Sequence, residues 1–108
     1  MQSGLYKADF RTPIGEGAGV ISIEDSDARG GDSSFWYSGT WSSDAGTAKA
    51  TLAIKRHSDL LPAVFGPIDS FTLSLSGEDN ETNAVLHGSS PQVPGVEIHI
   101  RLNQLQRY

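Results

Sequence analysis

A chain of 108 residues is the length of one domain, taken here as 1–108, and its lack of cysteine excludes disulfide frameworks, cysteine zinc sites and thiol catalysis. Thirteen acids against eight bases leave a net charge of -5, which gives no cationic surplus for direct binding of nucleic acid or an anionic membrane. Hydrophobic residues make up 37%, and twelve glycines with five prolines point to a chain dense in turns.

The opening Met1-Gln2-Ser3-Gly4-Leu5-Tyr6-Lys7 has no basic stretch followed by an apolar run, so no signal peptide is expected and the cytoplasm is the default address. The first strand pattern is Tyr6-Lys7-Ala8-Asp9-Phe10, apolar on even positions and charged on odd ones. Gly19-Val20-Ile21-Ser22-Ile23 follows, and then a polar stretch from Glu24 through Asp32 that reads as turn chemistry. Phe35, Tyr37, Gly39 and Trp41 share one face, as do Ala50, Leu52 and Ile54 in the next run. Ser58 through Pro67 is the exception. Ser58 or Asp59 can cap a helical turn and Gly66-Pro67 can stop it, which predicts a short helical plug at 58–66. Phe71, Leu73 and Leu75 alternate with hydroxyl residues, Ala84-Val85-Leu86 is a short strand, and Val96, Ile98, Ile100 and Leu102 alternate with polar residues. Alternation of this kind puts one face on a core and the other in water. About seven or eight strands with short connections predict an all-β, single antiparallel up-and-down barrel, lipocalin-like in architecture.

Several motifs fail on inspection. Asp25-Ser26-Asp27-Ala28-Arg29 begins like a calcium loop, but Arg29 stands where an oxygen ligand belongs and Trp36 where a bidentate Glu should sit. Gly15-Glu16-Gly17-Ala18-Gly19 precedes a β-branched run instead of a helix, so its glycines serve a barrel corner or a passage under an aromatic ring. Gly31-Asp32-Ser33 echoes a hydrolase nucleophile block without the parallel α/β sheet that block needs. Asn80-Glu81-Thr82 fits a glycosylation sequon and reads as a plain polar turn. With the last hairpin centred near Pro91, His87 and His99 fall several residues apart along the ladder and His57 lies elsewhere, so no shared metal is expected. No catalytic constellation, cofactor or metal site is expected, and the chain is not read as an enzyme.

Trp36 lies between Phe35 and Tyr37, and alternation turns it outward with Ser34 and Ser38. Two readings stay open: a partner interface, or packing under Lys49 or Lys55. A two-fold homodimer with Trp36 buried at its centre is the expectation drawn from the first.

Gly4-Leu5-Tyr6, Gly17-Ala18-Gly19-Val20 and Gly30-Gly31-Asp32 ahead of Phe35-Trp36-Tyr37-Ser38-Gly39 resemble the GrlR family, small negative regulators of type III secretion gene expression. Arg56-His57, Pro62, Val64-Phe65-Gly66 and the strand from Phe71 to Leu75 are similar to the family's middle section. The resemblance implies an eight-stranded lipocalin-like barrel, often dimeric, and a surface acidic cluster that engages a transcriptional activator and keeps it off DNA. The stretch matching that cluster, Ser42-Ser43-Asp44-Ala45-Gly46-Thr47, has one acid only. The acidic turns Glu24-Asp25-Ser26-Asp27 and Glu78-Asp79-Asn80-Glu81 are the available substitutes. The candidate partner surface is therefore Trp36, Asp44, Asp25 and Asp27. The alternative function is carriage of a small apolar ligand inside the barrel, among Tyr6, Phe10, Phe35, Tyr37, Trp41, Leu52, Phe71 and Leu73.

Overall fold

The alternation resolves into eight antiparallel strands that close into one barrel in simple sequence order. In the computed structural model, which describes residues 1–59 and 68–108, they are β1 (Gly4–Thr12), β2 (Gly15–Glu24), β3 (Asp27–Gly31), β4 (Phe35–Asp44), β5 (Thr47–Arg56), β6 (Ser70–Asp79), β7 (Asn83–Ser89) and β8 (Glu97–Arg107). β8 pairs back onto β1, so no edge is left to recruit another strand. The predicted plug at 58–66 falls, from residue 60 onward, outside the described residues; Ser58 and Asp59 are in neither helix nor strand. No helix among the described residues is long and apolar enough to cross a membrane.

β5 shows the rule with least interference. Ala48, Ala50, Leu52 and Ile54 are buried, while Lys49, Thr51, Ala53 and Lys55 are exposed. Across the sheet, Tyr6, Ile21, Gly30, Tyr37, Ile54 and Phe71 lie in one inward row. Apolar-in and polar-out is the reverse of a barrel whose outer face meets lipid. Phe35 and Phe71 meet edge to face at 6.1 Å, and the Arg56 guanidinium stacks over Phe35 at 4.7 Å. Arg56 is itself tied to Asp69 at 2.9 Å.

Three readings need correction. The stretch from Glu24 to Asp32 is not all turn, because Asp27–Gly31 is β3, paired with β2 and β4. Its single apolar side chain, Ala28, gives no period to detect; the strand exists because two long neighbours need their backbone groups paired. Ser34 is buried, not outward: it precedes β4, and its carbonyl accepts the backbone N–H of His57 at 2.8 Å. Phe10 faces inward as expected, partly buried against the core and opposite Ile100. The last hairpin is centred two residues later than Pro91, so His87 faces His99 directly. Pro91 and Pro94 cannot donate to the ladder, and the chain bridges them with the long turn Ser90–Val96, braced by Val93 N–H on the Ser90 carbonyl at 3.1 Å.

The glycine-rich opening of β2 does let a strand pass under a ring. Gly17 is opposite Phe10, and a Cβ at that position would stand 2.5 Å from the Phe10 ring.

Candidate functional site

An up-and-down barrel sends alternate hairpins to the same end. The β2–β3, β4–β5 and β6–β7 turns therefore share one rim. They bring Glu24, Asp25 and Asp27, then Asp44, then Glu78, Asp79 and Glu81 to that end. Asp79 is held by the Ser43 hydroxyl at 2.5 Å and by the Met1 ammonium at 3.4 Å, tying neighbouring turns together. The other six are exposed, and none forms an ion pair among the described residues.

Of the remaining six acids, five are held by a cation or by hydrogen-bond donors, and the exposed Glu97 on β8 lies, among the described residues, near His87 and His99 only. Asp9 pairs with Lys7 at 3.3 Å, Glu16 with Arg11 at 2.9 Å, and Asp69 with Arg56 at 2.9 Å, with Asp59 at 3.9 Å from the same Arg56. Asp32 organises the β3–β4 loop at the opposite rim. Its Oδ1 accepts the N–H groups of Ser34 and Phe35 at 2.8 Å each, and its Oδ2 accepts the Tyr37 hydroxyl. Burial, followed by the hydrogen bond and charge of Asp32, holds the Tyr37 phenol far above its ordinary pKa. Asp32 is thus a loop brace, with Ser33 exposed beside it. Under the acidic rim, Tyr6 is fully buried; its hydroxyl donates to the Gln2 carbonyl at 2.5 Å, and burial raises its pKa.

Of the four surface residues proposed from sequence, the fold brings together Asp25, Asp27 and Asp44 and leaves Trp36 apart. Trp36 and Asp44 sit near opposite ends of β4, about 26 Å apart at about 3.3 Å per residue. Trp36 is outward, 44% exposed, with Lys55 Nζ 5.5 Å from its ring centroid. Packing by Lys55 covers part of the indole only. In the same cross-strand row, Gly31 separates Trp36 from the exposed Val20, so the two apolar side chains flank a position with no side chain. The acid turns Glu78–Glu81 were visible in the sequence, but their union with Asp25, Asp27 and Asp44 follows only from the hairpin order.

The interior residues Tyr6, Phe35, Tyr37, Trp41, Leu52, Phe71 and Leu73 are all buried, and Phe10 packs against them. The interior space, about 40 Å³, is lined by Phe10, Tyr37, Trp41, Leu52 and Leu73 but not by Tyr6, Phe35 or Phe71. That exceeds the roughly 10–15 Å³ that admits one water and is far below the roughly 300–1,000 Å³ of small-molecule pockets. Trp41 Nε1–H is buried there and, among the described residues, has no hydrogen-bond partner. No protein-family model matches the chain, and no curated protein matches it either.

Proposed function

We propose that the protein is a non-enzymatic regulator that binds another protein through the acidic rim, and that this partner is a transcriptional activator whose DNA-binding surface is basic. One observation carries the reading: three hairpins present seven carboxylates at one end, six of them without a cationic partner among the described residues. Such a rim offers a cationic surface a ring of acceptors in roughly the role of a phosphate backbone, so a bound activator is kept off DNA by direct competition. The resemblance to GrlR regulators implies the same contact, with the acids drawn here from three turns and not from the β4–β5 turn alone. The filled interior gives little support to carriage of a small apolar ligand.

The test is isolation of the native complex from host cells at low salt, with wild type and the Asp25→Asn/Asp27→Asn/Asp44→Asn variant side by side. A basic DNA-binding protein retained by wild type, released by salt and lost by the variant is the expected result. Equal retention by the variant, or recovery of an extracted apolar molecule in place of a protein, would overturn the reading.

A further inference from the structure

The outer face of β7 and β8 carries a grouping that neither the rim nor the core uses. His87 is the direct cross-strand partner of His99, with ring centroids 6.5 Å apart. Glu97 lies two residues before His99 on the same face of β8. Its Oε1 stands 3.9 Å from His87 Nδ1 and 3.7 Å from His99 Nε2. One carboxylate oxygen therefore stands within 4 Å of a ring nitrogen of each histidine, the two histidines coming from different strands.

We propose that His87, His99 and Glu97 form a binding site for a divalent transition-metal ion of the zinc class. Two imidazoles and a carboxylate are the donor set of borderline ions, and a fourth position would stay open to water or to a ligand from another molecule. As the side chains stand they do not close on an ion. The shortfall is small. Donors bound at about 2.0–2.1 Å in a tetrahedron are about 3.4 Å apart, so each oxygen–nitrogen distance has to shorten by about 0.3–0.5 Å. Ring centroids of two imidazoles on one such ion lie about 5.2 Å apart, so the rings must also approach by about 1.3 Å. All three side chains are about three-fifths exposed, which leaves their torsions free to make that adjustment. The backbone beneath them need not move, because the β7–β8 ladder fixes both histidines opposite each other.

Two cations flank the group, one of them compensated by a carboxylate and the other, Arg101, a repulsion that the Glu97 carboxylate has to offset. Arg11, opposite His99 on β1, is paired with Glu16 at 2.9 Å; Arg101 follows two residues after His99; and on β6 the residue opposite His87 is Ser76. A bound ion would clamp β7 to β8 beside the long Ser90–Val96 turn.

The test is titration of tag-free protein with Zn²⁺ by calorimetry at neutral pH, with Co²⁺ absorption as an independent report of tetrahedral coordination. Wild type should bind one ion saturably. His87→Gln and His99→Gln should each weaken binding by at least about tenfold while leaving the barrel's circular dichroism unchanged. His57→Gln, far from the group, should bind as wild type does. Absence of saturable binding by wild type, or binding that survives both His87→Gln and His99→Gln, would overturn the proposal.

Discussion

Replacing Tyr37 by Phe deletes a single oxygen from the knot at the β3–β4 loop and separates two contributions. At neutral pH the variant loses the hydroxyl's bond to Asp32 Oδ2. A hydrogen bond to a charged group contributes about 1.5–3 kcal/mol, and the lower end applies because Asp32 is half-buried and water can replace the lost donor. Oδ1 keeps both backbone N–H groups, so the loop should stay in place. The expected loss is therefore about 1.5 kcal/mol. The alkaline limb behaves differently. Tyr37 holds its proton more tightly when folded than the unfolded phenol, which ionises near pH 10. Its contribution is fully present below that pH and falls as pH rises, by about 1.4 kcal/mol per unit while only the unfolded chain ionises. By pH 11.5 wild type has lost about 2 kcal/mol that the phenylalanine variant cannot lose. Tyr6, also raised by burial, is common to both proteins and cancels in the comparison. Urea unfolding at a series of pH values should show wild type ahead at pH 7, the gap closed near pH 11 and the order slightly reversed by pH 11.5. Parallel pH profiles would refute the idea that Tyr37 is held neutral by burial and Asp32.

Two further outcomes are expected. Ala45 sits in the β4–β5 turn with φ 50°, followed by Gly46 at φ 83°, a left-handed pair that suits Asn-Gly better than Ala-Gly. Ala45→Asn should gain about 0.5–1 kcal/mol, read as a higher thermal midpoint; an unchanged or lower midpoint would mean that the alanine carries no strain. We also propose a two-fold dimer through the outer β2–β4 face, since Val20, Gly31 and Trp36 form a strip open to close approach. Trp36→Ala should convert a dimer to a monomer in sedimentation at micromolar concentration; identical behaviour of the two proteins would remove Trp36 as its anchor.

The barrel was legible wherever side chains alternated by size and polarity. β6 and β8 needed nothing beyond Phe71, Leu73 and Leu75, or Ile98, Ile100 and Leu102, to show which face is inside. β3 was hidden because a strand whose only apolar side chain is Ala28 carries no period; backbone pairing demanded by β2 and β4 makes it a strand. The histidine pair was lost for a different reason. Moving a hairpin's centre by two residues shifts each cross-strand partner by four, and two prolines in one connection make its centre ambiguous. Of the candidate surface, the separation of Trp36 from Asp44 was implicit in the length of β4, and the shared rim was implicit in the order of an up-and-down meander. Both follow from strand lengths and hairpin order, and what the structure adds is where each strand begins and ends.

The way charge is divided over the molecule is what distinguishes the rim from an ordinary solvated surface. Elsewhere Asp9, Glu16 and Asp69 have a cation within 3.3 Å, and Asp32 is held by three donors. Leaving the six rim acids unpaired costs the fold little, because two exposed charges about 10 Å apart repel by only about 0.4 kcal/mol in water and less at physiological salt. Local stability therefore gives no reason to gather them. Their summed field does have an effect at longer range: it attracts a cationic surface, speeds its encounter and orients it toward that end of the barrel. Neutralising Asp25, Asp27 and Asp44 together should accordingly leave unfolding nearly unchanged while slowing association and flattening its dependence on salt. Stability and binding should then part company at these residues, which is what the proposed role of the rim requires.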